Sequence, residues 1–296
     1  MNTTAIISVI AYVALAPAAG GLLAGFDRKI SARMQGRVGP PLLQPFYDLF
    51  KLLEKEPVTV NRVQDFYVLC CLIFMIITGG FFFAGGSLLL VIFTLTTASV
   101  FMVVAAYSSN SPYAQIGASR ELLQIMAYEP MVLITAIGFF IVYRSFNVAD
   151  IIAHPAPAVH YLAGIFLGFV FILTIKFRKS PFDLSMSHHA HQELVKGLTT
   201  EFSGKTLAMI ELSHWYENIF LLGFVFLFFA NGTTQWTVIA VLACLLAYFL
   251  EIFIDNSYAR MKWQIAVNSS WIVALTAGGV NLLVLYFAIF GFGLGV

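Results

Sequence analysis

Eight long apolar runs recur along this chain of 296 residues, near 3–26, 66–85, 88–107, 121–143, 159–176, 206–230, 236–254 and 266–290. Each is roughly 19 to 25 residues long, the length at which an α-helix crosses a hydrocarbon core of about 30 Å. A lipid interior offers no water to backbone N–H and C=O groups, so a chain crossing it repeatedly satisfies them within its own helices. The expected fold is therefore all-α, a polytopic membrane protein with eight transmembrane helices forming a single membrane domain over residues 1–296. Hydrophobic residues make up 60% of the chain and Asp, Glu, Lys and Arg only 10%, too little charge to cover a water-soluble surface. A net charge of +1 excludes nucleic-acid binding driven by bulk positive charge. The first run follows no basic segment and is long enough to span, so it reads as a retained helix and not as a cleaved signal.

Basic residues orient these spans. Of the 16 lysines and arginines, only Arg144 falls outside the loops and margins that follow the first, third, fifth and seventh runs. Cytoplasmic loops carry the excess of Lys and Arg, so both termini are expected outside, in the cell membrane, with the basic loops in the cytoplasm. In the first of these loops, Leu42, Phe46, Leu49 and Leu53 recur at helical spacing while Asp48, Lys51, Glu54 and Lys55 take another face. An amphipathic helix over about 42–56 is too short to span and suits the membrane surface, although the same pattern fits packing on a partner subunit. The pairs Gly79-Gly80 and Gly85-Gly86 fit either tight turns or close helix contacts.

Ionisable side chains within spans cost at least ~2.5 kcal/mol each on insertion scales, so they are candidates for function. Glu129 lies about two turns into the fourth run and precedes Pro130, which frees a backbone carbonyl one turn earlier. Glu211, His214 and Asn218 follow one another at i, i+3 and i+7, with Glu217 flanking the stripe; Glu251 and Asp255 stand at i and i+4 near the end of the seventh run. Carboxyl groups out of water can exchange protons near neutral pH, so these residues read as a polar path, with satisfied structural groups as the alternative. Cys70, Cys71 and Cys244 lie in apolar stretches without C-x-x-C spacing, which suits neither a disulfide framework nor iron–sulfur ligation. No redox cofactor is expected in the chain itself.

One loop, about 177–205, concentrates titratable groups in "PFDLSMSHHAHQELVKG" (181–197). Metal binding, catalysis and docking are the three readings of such a cluster. Consecutive histidines point in different directions, and neither H-E-x-x-H nor C-x-x-C geometry is present, which weighs against a metal site.

The segments "DRKISARMQGRVGPPLLQPFYDLFKLLEKEP" (27–57), "SSNSPYAQIGASRELLQIMAYEP" (108–130), "SPFDL" (180–184), "ELV" (193–195) and "EFSG" (201–204) resemble the first membrane subunit of respiratory complex I, which the energy-converting nickel–iron hydrogenases share. The form "HHAHQELVKGLTTEFSGKT" looks like the Ech and carbon-monoxide-induced (group 4) hydrogenases. The resemblance implies a non-redox subunit that links a peripheral arm, oxidising ferredoxin and forming hydrogen, to proton or sodium-ion translocation. It implies partners: hydrogenase large and small subunits, an iron–sulfur subunit and an antiporter-like membrane subunit, with the nickel–iron centre and the clusters held by those partners. It implies path roles for Glu129, Asp183, Glu193 and Glu201. The family's glutamate in the sixth span meets an ambiguous set here, His214 with Glu211 and Glu217 on either side, and Glu251 joins the same expected path. The loop residues His188, His189 and His191 are expected to couple to the redox module, with Arg33 and Arg37 at the same interface. Complex I members carry an acid-rich run after "PFDL" and a second Gly-Pro turn before "LLQP"; this chain has "SMSHHAHQ" and runs from Gly39-Pro40-Pro41 straight into Leu42. A quinone-binding subunit of a complex-I-like NADH or ferredoxin dehydrogenase is the alternative, and a passive membrane anchor the third reading.

Overall fold

The computed structural model describes residues 3–56, 61–179, 181, 182, 185 and 196–291. Helices α1 (Thr3–Met34), α3 (Arg62–Phe83), α4 (Leu88–Tyr107), α5 (Pro112–Tyr143), α7 (Ala163–Lys176), α8 (Gly204–Phe229) and α9 (Thr234–Ser257) take up seven of the expected runs. The eighth run forms one helical rod from α10 (Trp263–Val273) to α11 (Val280–Tyr286), which widens into π-turns at Ala274–Gly279 and Phe287–Gly291. Short helices α2 (Gln44–Glu54) and α6 (Val148–Ala153) lie in connections. Among the described residues, seven helices are long and apolar enough to cross a membrane; α7, with 14 residues, is shorter. Pro155 and Pro157 lie just upstream of α7, and Leu162 is still non-helical. Asn281 closes the first turn of α7, accepting from Ile165 N at 3.2 Å and donating to Tyr161 O at 3.2 Å.

Helix α5 departs most from the expected 121–143. Ser111-Pro112 opens it nine residues earlier, with proline in the first turn where no N–H is needed. Glu121 therefore lies about 14 Å along the helix and not at its mouth.

In lipid, helices associate through close packing more than through a hydrophobic drive. Phenylalanines fill the centre: Phe169 stacks on Phe224 at 5.1 Å, and Phe82 meets Phe220 edge-on at 5.3 Å. Tyr12 and Tyr216 exchange hydrogen bonds with each other's helices, Tyr12 to Tyr216 O at 3.2 Å and Tyr216 to Val13 O at 2.8 Å. The two glycine pairs divide. Gly79 lies inside α3 against the Tyr12 ring, where a Cβ would sit 2.1 Å from it, whereas Gly85 makes the turn into α4 with φ 82°. On α5, a Cβ at Gly117 would come within 2.3 Å of Leu198 N. That close approach seats the turn Gly197–Thr199, where the titratable loop returns, on the helix.

Phe46 and Leu49 of α2 pack on Trp215 and Ala208 of α8, while Tyr47, Phe50 and Leu53 stay exposed. Leu53 thus leaves the inward stripe, and Leu52 takes its place. Arg28 holds Asp48 of α2 at 2.5 Å. Burial pushes the Asp48 carboxyl up, but hydrogen bonds from Arg28 and Gln44 and the charges of Arg28 and Lys51 hold it below the usual carboxylate range.

The helix ends sort into two sets. Ser87 bridges to Asn147 and Asn231 donates to Pro155 O at one end; Asn61 reaches Ser108 O, and Met261 N donates to Pro181 O, at the other. Arg144 is at the first end. Lys205 and Lys262 are exposed at the second and Gln235 at the first, whereas Lys179 is buried by ion pairs and makes a poor reporter. In a background with Cys70, Cys71 and Cys244 replaced, Lys205→Cys and Lys262→Cys should react with an impermeant maleimide only from the cytoplasmic side, and Gln235→Cys only from outside. Labelling of all three from one side would break the alternation.

Candidate functional site

The site begins at the end of α7, in the run Lys176-Phe177-Arg178-Lys179. Three cations close a helix whose C-terminal carbonyls carry partial negative charge. Arg178 takes the left-handed conformation, with φ 56°. Its N–H bonds Ile175 O at 3.0 Å, and the Lys179 N–H bonds Thr174 O at 2.9 Å. This is a Schellman turn with arginine in the place glycine usually fills, a choice that costs about 1–2 kcal/mol of backbone strain.

The turn sends the cations to four different helices. Lys176 bonds Glu217 of α8 at 3.0 Å and lies 4.1 Å over the Tyr128 ring of α5. Arg178 reaches both oxygens of Glu121 on α5, at 3.4 and 3.5 Å, and Ser185 also donates to that carboxylate. Lys179 binds Asp27 of α1 and lies 3.5 Å from Asp255 of α9. The Lys176 and Glu217 side chains are 5% and 8% exposed. Charges buried so deeply are tolerated only in pairs.

Around this turn opens a cavity of about 600 Å³, bounded by α1, the 35–40 turn, α7, α8 and α9. Glu211, His214 and Asn218 of the predicted stripe line it together with the flanking Glu217, and Arg37 is at its exposed rim. Asp27, Arg28, Lys176, Arg178, Lys179 and Asp255 complete its charged wall. Glu251 lies alongside, fully buried, and neither of its oxygens has a hydrogen-bond partner among the described residues.

Other expected residues stand apart. Glu129 is half-buried on another face of α5 and accepts from Thr96 of α4 at 3.0 Å. Glu201 occupies the partly exposed turn before α8, outside the cavity wall, and Arg33 is exposed at the end of α1. Asp183, His188, His189, His191 and Glu193 lie outside the described residues. Among the described residues, no three His, Cys, Asp or Glu side chains gather as metal ligands. Cys70 and Cys71 are on α3, and Cys244 on α9 faces Leu222 O at 3.2 Å.

Sequence reasoning missed Glu121, Asp27 and Tyr128, and it counted Lys176, Arg178 and Lys179 only as markers of orientation. If Lys176 and Glu217 hold each other away from bulk water, removing one partner strands the other charge. Lys176→Met or Glu217→Met alone should each cost about 3–5 kcal/mol, while the two together should cost much less than either. Thermal unfolding of the detergent-solubilised protein measures this, and single costs that simply add would show that the pair is not coupled.

Residues 5–286 match the family described as NADH dehydrogenase. Hydrogenase-4 component C of Escherichia coli (strain K12) is 27% identical over 278 residues, covering 85% of this chain and 87% of that protein. The H subunit of the NADH-quinone oxidoreductase of Geobacillus kaustophilus (strain HTA426) is 29% identical over 304 residues, covering 91% and 89%. A chain of the membrane-bound sulfane sulfur reductase, an archaeal respiratory membrane complex, shares the fold with a TM-score of 0.86 at 24% identity over 95% of this chain and 99% of its own. This chain, with its all-α membrane bundle and its charged cavity, belongs to the NADH dehydrogenase family, as a membrane subunit of the complex I type.

Proposed function

We propose that this chain is the integral membrane subunit of an energy-converting nickel–iron hydrogenase complex. It links a peripheral arm that oxidises ferredoxin and forms hydrogen to the movement of protons or sodium ions across the cell membrane. The observation that carries the reading is the charged wall of the large cavity. Ten of its side chains are Asp, Glu, Lys, Arg or His (Asp27, Arg28, Arg37, Lys176, Arg178, Lys179, Glu211, His214, Glu217 and Asp255). Such a lining stabilises water and protons, and it is a poor solvent for the long apolar tail of a quinone. A passive anchor has no use for paired charges at this depth, where each is costly to insert.

The root of the loop that carries His188, His189 and His191 is tied directly into this wall. Arg178 and Lys179 precede that loop, and Gly197–Thr199 follows it on α5. Movement of the loop therefore has a mechanical route to the acids on α1, α5 and α9. In this reading the loop faces the cytoplasm and meets the hydrogenase large and small subunits and the iron–sulfur subunit, which hold the nickel–iron centre and the clusters. Imidazoles that titrate near neutral pH suit a surface next to a centre where protons are the substrate. An antiporter-like membrane subunit receives the ion path downstream, with Glu129 on the way. Similarity to hydrogenase-4 component C supports this reading.

Similarity to a membrane subunit of NADH-quinone oxidoreductase favours a second reading, a quinone-binding subunit, with the cavity between α1 and the start of α2 as the quinone's way in. The purified complex separates the two. Hydrogen evolution from reduced ferredoxin, unaffected by quinone-site inhibitors, is the expected result. Ordered quinone between α1 and α2, reduced by the complex, would replace the first reading by the second.

A further inference from the structure

We propose that the phenylalanines packed beyond the charged turn form a fixed aromatic seal, which bars ions from crossing this chain between its two ends. The proposal goes beyond the ion-path reading, since it concerns what stops an ion and holds whichever reaction drives the complex.

Two polar regions approach each other across the bundle. From the end that carries the basic loops, the large cavity reaches Glu217 and Asn218. Glu217 lies 13 residues beyond Gly204, the start of α8, or about 20 Å along the helix. From the Arg144 end, polar backbone descends with the stretch before α7. Its carbonyls are met by Asn231 at Pro155 O (3.0 Å), Tyr143 at Ala156 O (2.9 Å) and Asn281 at Tyr161 O (3.2 Å). Asn281 also takes the N–H of Ile165. From Ile165 to Lys176 there are 11 residues of α7, about 17 Å, to keep the two regions apart.

That interval is filled with rings. Phe169 of α7 packs on Phe224 at 5.1 Å and on Phe228 at 5.8 Å. Phe139 of α5 closes on Phe228 at 5.0 Å. Phe82 of α3 meets Phe220 at 5.3 Å and Phe224 at 5.7 Å. These rings come from four helices, form one connected network and are all buried. Beside them lies a void of about 10 Å³, bounded by Phe169, Phe220, Phe224 and Lys176, with its other walls aliphatic. A buried water needs roughly 10–15 Å³ and two to four polar partners, so this space stays dry.

A proton crosses a barrier along a chain of hydrogen bonds, and a metal ion needs oxygens to replace its water. The ring layer offers neither. One turn before Phe82 and Phe139, the buried hydroxyls of Thr78 and Thr135 donate within their own helices, to Phe74 O at 2.7 Å and Met131 O at 2.8 Å. Stiff rings in stacked and edge-on contact leave no gap that a change of rotamer would open to water. The open cavity brings charge about halfway through the bundle, and the seal makes that depth safe.

The test is passive. Proteoliposomes of the assembled complex, given no electron donor, receive a pH step, and a trapped pH-sensitive dye follows its decay. Phe169→Asn and Phe224→Asn each place an amide among the rings, whereas Phe224→Leu keeps the layer apolar. Both asparagine variants are expected to collapse the imposed gradient several-fold faster than wild type, while Phe224→Leu holds it. Asparagine variants as tight as wild type would overturn the proposal. So would a Phe224→Leu leak equal to theirs, which would report general loosening of the bundle. A map of the wild-type complex at a resolution that shows water covers the case in which the variants do not assemble. It is expected to hold no water among the rings, and a continuous file of water through them would overturn the proposal. Neither readout uses hydrogen or quinone. A wrong redox assignment therefore leaves the seal standing, and a wet ring layer removes the seal while leaving that assignment untouched.

Discussion

Charges that lie at membrane depth must be paired, and in this protein the turn at the end of α7 does the pairing. Lys176, Arg178 and Lys179 are consecutive enough to belong to one turn, yet they neutralise acids on α8, α5, α1 and α9. A regular helix could not aim them so widely, because residues two and three apart lie on fixed faces. The left-handed Arg178 redirects the chain after two of the cations have been placed. Its backbone strain of about 1–2 kcal/mol is small against the cost of leaving Glu121 charged and alone in a dry bundle. Strain of this kind persists where the surroundings over-determine it, and four helices converge here.

That arrangement makes the site mechanically continuous with the loop that follows. Residues 181 and 182 are held beside Met261, Ser185 donates to Glu121 and accepts from Leu198 N at 3.1 Å, and the turn 197–199 rests on Gly117. Both roots of the loop thus press on α5, the helix that carries Glu121, Gln124, Tyr128 and Glu129. A displacement of the loop cannot leave the ion pairs untouched, because the same few residues belong to both. Two-state behaviour of the ion pairs, with Lys179 shared between Asp27 and Asp255, is the physical form that coupling would take.

Much of this was legible in the residues alone. Apolar length located the seven long spans and the shorter α7, and the spacing of Phe46 and Leu49 located α2. The stripe Glu211, His214 and Asn218 was visible as a helical period, and the structure puts Glu217 on the same cavity wall. Glu121 escaped because the apolar run begins there, next to Arg120, where an acid looks interfacial. The signal was present in Ser111-Pro112, a helix start with no breaker before Glu121 except Gly117, and that glycine serves a backbone contact instead. The cations of α7 escaped for a different reason. Counting lysines and arginines for orientation treats them as loop charges, and pairing across the bundle depends on a left-handed arginine that no propensity would favour. Tyr128 reads as an ordinary helix residue until its neighbours are in place.

Arg178→Gly isolates the central claim, since glycine accepts the left-handed turn without strain while the charge on Glu121 loses its partner. Proton translocation per electron transferred, measured in proteoliposomes of the assembled complex, is the direct readout. The account predicts that the complex assembles and turns over while this ratio falls toward zero. A ratio equal to wild type would contradict it, showing that the turn braces the bundle and takes no part in moving the ion.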